Sequence, residues 1–211
     1  MKKMNFDVGF WRKQALKQSL DRKEDRQSWG GAKLVKLPSD CLAIETLLTL
    51  CGPKVVVECG SQYGGSASFI SSFAHLAGIE EIISLDIVKL ERPHIQMVKF
   101  ITGDSSDAEI FRQVKEMVGD RTCSVILDSN HEAPHVDKEL ALFGSLVTPG
   151  QALIMEDTHV DVLGFKKFRS IGGPLVSLRK WLPQHPDFEP AEGIEPYVTT
   201  NYFGYCVRKT Q

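Results

Sequence analysis

Residues 54–78, "KVVVECGSQYGGSASFISSFAHLAG", decide the fold. "KVVVECG" (54–60) is a continuous β-branched run with no polar alternation, as expected of a strand buried on both faces. Glycines at 60, 64 and 65 then turn the chain. "GSASFISSFAHLAG" (65–78) repeats apolar side chains at helical spacing. The same alternation recurs downstream. "EIISLDI" (81–87), "VKFITGD" (98–104), "TCSVILD" (122–128) and "QALIMED" (151–157) are four more strands. "SDAEIFRQVKEMV" (106–118) is a helix opened by a capping box of Ser106 and Glu109. A further helix runs through "PHVDKELALFGSL", with Pro134 in its first turn. "DCLAIETLLTLC" (40–51) and "GPLVSLRKWLPQH" (173–185) are helices, and "YFGYCVRK" (202–209) is a final strand. Alternation of apolar strands with helices predicts an α/β fold: a doubly wound, mostly parallel sheet with a C-terminal antiparallel strand.

The totals suit one domain. The 211 residues are 42% hydrophobic and 25% charged, ordinary for a globular protein with a sizeable core. No apolar run approaches a membrane span, and "MKKMNFDVGFWRKQ" lacks the apolar core and cleavage site of a secretory signal. The five cysteines have no zinc spacing, and they read as buried thiols of a reducing, cytoplasmic compartment. The net charge of −2 conceals an asymmetry. Residues 1–26 carry eight Lys/Arg against four Asp/Glu, leaving 17 and 23 for the rest. Such a basic arm suits an anionic substrate or a membrane surface, and it equally suits folding back on the acidic body. With no basic stripe interleaved by aromatics, nucleic acid is not an expected partner. Two parts are expected: an N-terminal arm over 1–37, with Trp29 and Gly30-Gly31 as a lid, and the main domain over 38–211. A homo-oligomer is compatible with this composition.

In open α/β sheets ligands sit beyond the carboxyl ends of the strands. Those ends read Glu58-Cys59-Gly60, Asp86, Gly103-Asp104, Asp128 and Glu156-Asp157. The turn after the first strand, with Gly60, Ser61 and Gly64, lets a ligand approach the backbone ahead of a helix N-terminus. It is not the GxGxxG of a diphosphate grip. Asp86, 26 residues after Gly60, stands where an acid accepts ribose hydroxyls. Asp104 is placed to receive an adenine amine. Together these fit S-adenosylmethionine better than NAD, because a sulfonium nucleoside has no diphosphate and acidic surroundings suit its charge.

"VILDSNHEAPHV" (125–136) and "IMEDTHV" (154–160) supply a second set. Asp128, Glu156 and Asp157 end adjacent strands, and three acids that close need protons or a cation. An oxygen-rich set without cysteine selects a hard ion, with Mg²⁺ favoured. His159 is placed to line the metal or the acceptor. His75, His94, His135 and His185 read as structural or solvated.

The series "VVVECGSQYGGSA … ISLDI … FITGDSSD … VILDSNHEAPHV … LVTPGQALIMEDT" resembles the cephalosporin hydroxylase / rhamnosyl O-methyltransferase family, over about residues 25–208. That resemblance implies a Rossmann-like class I methyltransferase that is Mg²⁺-dependent and acts on sugar hydroxyls of a small, glycosidic acceptor. It implies Asp128, Glu156 and Asp157 as metal ligands and His131 as general base. It also implies a cofactor pocket that includes Glu58, Gly60, Asp86 and Asp104, with Asp128 at its border. Residues 159–172 and those before 25 match the pattern poorly. A catechol-type methyltransferase, a hydroxylase and a nucleoside-binding module remain alternatives at this point.

Overall fold

The computed structural model describes residues 8–20 and 27–210, so parts of the basic arm, residues 1–7 and 21–26, lie outside the described residues. Its centre is the strand that the opening stretch predicts. β3 (Val55–Cys59) is buried at all five residues and is flanked on both sides by parallel neighbours. One side carries β4 (Glu81–Asp86) and then β5 (Val98–Thr102); the other carries β6 (Cys123–Leu127) and then β7 (Ala152–Met155). β9 (Tyr205–Arg208) pairs antiparallel with β7, and β8 (Phe188–Pro190) closes the edge, giving the order β5-β4-β3-β6-β7-β9-β8. The winding direction changes between β3 and β6, the place where such sheets bind ligands.

Helices cover both faces. Val55, Val57 and Cys59 pack toward α4 (Ala108–Val118), α5 (Ala133–Phe143) and α8 (Pro174–Trp181). Val56, Ile82, Ile126 and Ile154 pack toward α2 (Pro38–Cys51) and α3 (Gly65–Ala77). Because side chains alternate faces along a strand, the next inward positions on this second face are Glu58, Ser84, Asp128 and Glu156. The apolar row of the α2/α3 face therefore ends in a polar row. The register pairs Glu58 with Ile126 and Ile126 with Ile154, which keeps β3, β6 and β7 level.

Several short elements are absent from the sequence reading, among them three strands and the helices over 159–162 and 168–171. Residues 28–33, expected as loop, form a small antiparallel hairpin of β1 (Ser28–Trp29) and β2 (Ala32–Lys33). β8 arises from three residues only, too short a run to carry a period. One cap is corrected. The N-cap of α4 is Asp107, whose side chain accepts from Glu109 N at 2.7 Å, in place of a Ser106–Glu109 box. Asp104 accepts from Ser106 N at 2.8 Å, so the two acids divide the turn between them.

Ahead of α2, residues 27–37 lie as a strap across the N-terminal half of α3. Trp29 meets Phe69 edge-on at 5.2 Å and is not among the residues lining the cleft described below. The strap reaches the cleft through Lys33, Val35 and Lys36, and Trp29, expected as a lid, lies outside the cleft lining in this structure. Short α6 (His159–Val162) and α7 (Phe168–Ile171) follow β7. The first helix, α1 (Val8–Leu20), turns Arg12 onto the body. Its guanidinium donates to Glu195, to Tyr197 O at 2.6 Å and to Pro196 O at 3.0 Å, and lies over the Tyr202 ring. Among the described residues no helix is long and apolar enough to cross a membrane.

The strap's fit depends on one glycine. A Cβ at Gly65 would overlap Lys33 O and Leu34 Cα, both backbone atoms that cannot swing aside. Gly65→Ala is expected to cost about 1–3 kcal/mol in urea unfolding, as overpacking does. It is also expected to expose the strap to limited proteolysis before the rest of the chain. A variant as stable and as resistant as the parent would show that the strap is not clamped there.

Candidate active site

A cleft of about 420 Å³ opens at the carboxyl ends of β3, β4, β5 and β6. Gly60, Ser61, Asp86, Asp104, Asp128, His131 and Asp157 all line it. Glu58, Gly64 and Glu156 do not. Glu58 is fully buried beneath the cleft floor, where Ser84 Oγ donates to it at 2.5 Å. Burial raises its carboxyl pKa, against the pull of Lys36. Gly64 is the N-cap of α3.

The turn after β3 is held closed by its neighbours. Gly60 has φ +105°, and a Cβ there would overlap the carbonyl oxygen of Asp128. Only glycine lets the end of β3 lie so close to the end of β6. Gly60 N and Ser61 N donate to Leu85 O, each at 2.8 Å. Asp86 is fixed by backbone amides: Gln62 N donates to Oδ2 at 2.6 Å and Val88 N to Oδ1 at 2.8 Å. A carboxylate oxygen has two lone pairs, so both can still accept from a ligand. Asp104 stands at the same end of the cleft, held below the usual carboxylate range first by the Ser106 backbone amide.

The opposite side, past β6 and β7, is more highly charged. Asp128, His131 and Asp157 each offer one ligand atom, and all three atoms lie within 4.8 Å of one another. His131 Nε2 donates to Asp157 Oδ2 at 3.1 Å. His131 comes from the loop before α5. Asp157 reaches inward because its backbone adopts φ +53°, reversing the direction that strand alternation would give it. That conformation is secured by Asp157 N donating to Asn201 Oδ1 at 2.9 Å. The segment carrying Asn201 is itself tied to buried Asp40, which accepts from Thr200 N at 2.9 Å, Thr200 Oγ1 at 2.8 Å and Tyr205 OH at 3.1 Å.

Glu156 differs from its neighbour. Its carboxylate is 3% exposed and accepts from Lys36 Nζ at 2.6 Å, and the same ammonium donates to Asp128 Oδ2 at 2.7 Å. Lys36 is buried to the same degree. Burial works to lower the Lys36 pKa, but Asp128, Glu156 and Glu58 together outweigh it and hold the ammonium well above its ordinary range. Glu156 is pushed up by burial and by the charge of Asp128, with Lys36 opposing. His131 is raised to about 9: the carboxylates of Asp157, Asp128 and Glu156 overcome the effect of burial.

The sequence reading missed Lys36. Its signal was a lysine flanked on both sides by apolar residues in "LVKLP" (34–38), where charge has no obvious place unless paired. His135, read as structural or solvated, also lines the cleft. Its Nε2 lies 3.2 Å from both Ser105 Oγ and Ser129 Oγ, above buried Glu139. His159 is buried, with Nδ1 3.4 Å from Asp157 Oδ1 and its ring edge-on to Phe165; it is not among the residues that line the cleft.

The set can hold a hard divalent ion. Asp128 and Asp157 offer oxygens on the cleft side with His131 between them, and Glu156 Oε1 is buried without a hydrogen-bond partner. Such an oxygen is satisfied by a cation.

Known proteins resemble this chain in sequence and in fold. Residues 22–208 match the family described as rhamnosyl O-methyltransferase/CmcI. A rhamnosyl O-methyltransferase of Mycobacterium leprae is 29% identical over 140 residues, 64% of this chain and 61% of that protein. One of Mycobacterium tuberculosis strain H37Rv is 27% identical over 170 residues, 77% and 69% of the two chains. This chain thus spans only about three fifths of the leprae relative. Among solved structures, CmcI with Mg and SAM superposes with a TM-score of 0.66 at 19% identity, covering 87% of this chain and 77% of that one. MycE, a methyltransferase of the mycinamycin pathway in complex with Mg and SAH, gives 0.56 at 22% identity, covering 80% and 48%. Likeness at these identities concerns the class I methyltransferase fold. With most of its length matched by the family's model, the chain belongs to the rhamnosyl O-methyltransferase/CmcI family.

Proposed function

We propose that the chain is an S-adenosylmethionine O-methyltransferase, dependent on a divalent ion such as Mg²⁺, that methylates a hydroxyl of a small glycosidic acceptor. One observation carries this reading. Asp128, His131 and Asp157 meet on one side of β3 while Asp86 and Asp104 line the other, in a single cleft. The names of the mycobacterial relatives support a sugar acceptor, and the Mg, SAM and SAH of the solved neighbours support both cofactors.

S-adenosylmethionine supplies an electrophilic methyl group, and the ion supplies Lewis acidity that lowers the pKa of a sugar hydroxyl. The chain does the rest. Gly60, without a side chain, lets the nucleoside lie against the backbone, with Ser61 and Gly64 forming the remainder of the turn. Asp86, oriented by two backbone amides, accepts from ribose hydroxyls, and Asp104 faces the adenine. Asp128, Glu156 and Asp157 would hold the ion. Buried Glu58 adds negative potential under a cofactor that carries positive charge. His131, at the metal side, takes the proton from the acceptor hydroxyl as it attacks.

Two tests follow. His131→Ala is expected to lower kcat by about 10²–10⁴, the usual contribution of a general base, with S-adenosylmethionine affinity by calorimetry nearly unchanged. Asp128→Ala is expected to abolish Mg²⁺ binding and methyl transfer to rhamnosyl acceptors. Full transfer by both variants would defeat the reading, as would a wild type that binds no S-adenosylmethionine.

A third test concerns pH. In metal-free protein His131 is expected to lose its proton near pH 9, since Asp157 and Asp128 stabilise the imidazolium. A divalent ion on those carboxylates removes that stabilisation, so added Mg²⁺ moves the midpoint down and leaves the imidazole neutral as a base. NMR titration of the His131 ring, with and without Mg²⁺, measures this. A midpoint at the unperturbed value that ignores Mg²⁺ would contradict the arrangement.

A further inference from the structure

Lys36 has no part in the chemistry described above, yet it occupies the centre of the acidic row. Its Nζ donates to one oxygen of Asp128 at 2.7 Å and one of Glu156 at 2.6 Å. The second oxygen of Glu156 is buried and unpartnered. The carboxylates of Glu58, Asp128 and Glu156 surround this ammonium, and among the described residues Lys36 is the lysine that bridges two of them. It is delivered by the strap, from outside the sheet, through the tight passage of residues 33–34 over Gly65.

The charge balance is uneven. Glu58, Asp128 and Glu156 face the Lys36 ammonium, with Asp157 and the His131 ring beyond them, so carboxylates still outnumber cationic side chains and a divalent ion is accommodated beside Lys36 without displacing it. The two cations then share Asp128 and Glu156. We propose that Lys36 is a positioning residue for the metal site, a resident cation that holds Asp128 and Glu156 side by side in the metal-free protein and, by its charge, loosens the ion's hold on them. This inference rests on the metal reading proposed above and goes beyond it by assigning the ion's affinity to a residue that does not ligate it.

Two effects of removing Lys36 oppose each other. Loss of positioning weakens ion binding; loss of a like charge at close range strengthens it. Coulomb repulsion between a single and a double charge that share the buried carboxylate of Glu156 and the half-buried one of Asp128 is the larger effect. Lys36→Met keeps the apolar stem and removes the charge.

Isothermal calorimetry with Mg²⁺ alone, on wild type, K36M and K36R, provides the test, with thermal melts in EDTA and in Mg²⁺ beside it. K36M is expected to bind Mg²⁺ at least about tenfold more tightly, to melt lower than wild type in EDTA, and to gain more in melting temperature from Mg²⁺. K36R, which keeps the charge, is expected to bind like the wild type. Equal or weaker Mg²⁺ binding by K36M overturns the inference and leaves Lys36 a structural tether. If K36M is unfolded in EDTA, refolding on millimolar Mg²⁺, seen by circular dichroism, supports the proposal. A chain that stays unfolded there overturns it, because the ion has failed to replace the missing charge. A wild type that binds no Mg²⁺ overturns the metal reading itself, a result distinct from a wild type that binds while K36M binds no tighter.

Discussion

Three neighbouring strands, β3, β6 and β7, each end an inward apolar row with a carboxylate, and the ammonium of Lys36 is what allows two of these, buried Glu156 and half-buried Asp128, to stand side by side. Burying like charges together is costly unless a counter-charge and hydrogen bonds accompany them. Here a single side chain supplies both. It satisfies one oxygen of each partner and leaves Glu156 Oε1 for another cation. The strap over α3, the glycine that admits it and the polar ends of the strands are one arrangement seen from different sides.

Asp157 depends on a second support. Strand alternation alone would turn it to the opposite face from Glu156, and the left-handed backbone at this residue cancels that. A non-glycine residue persists in that region only where its surroundings over-determine it. Asn201 accepts its amide, and Asp40, at the start of α2, ties down the segment bearing Asn201. α2 thus stabilises the acid row from beneath while the strap, four residues earlier, neutralises it from above. This gives physical content to the position of the C-terminal antiparallel strand. β9 pairs with β7 and brings residues 199–205 under Asp157.

Much of this was legible in the chain. Continuous apolar runs can be buried on both faces only in a sheet covered by helices, so β3, β4, β6 and β7 and their intervening helices follow from local pattern. Strand ends then identify the acids at the cleft. What escaped had no periodic signal. β1 and β2 are two residues each, held by contacts to α3; β8 is three residues on an edge. Asp107 caps α4 instead of Ser106 because the helix begins at Ala108, one residue later than a Ser106 cap requires, and Asp107 takes the Glu109 amide. Trp29 lies on Phe69 and not over the cleft, a choice made by the path of the strap. His135 reaches the cleft because the first turn of α5 faces Ser105 across it.

Sequence by itself determined the sheet, its doubly wound class and which acids end its strands, because a two-residue period and β-branched burial are local properties. Tertiary structure alone decided which charges meet. Lys36 comes from a segment 92 residues before Asp128 and 120 before Glu156, and its pairing with them has no expression in spacing or propensity. Asp157's inward turn likewise requires Asn201, 44 residues further on. Electrostatic partnership acts through space across a folded core, and so it becomes visible only when that core is assembled.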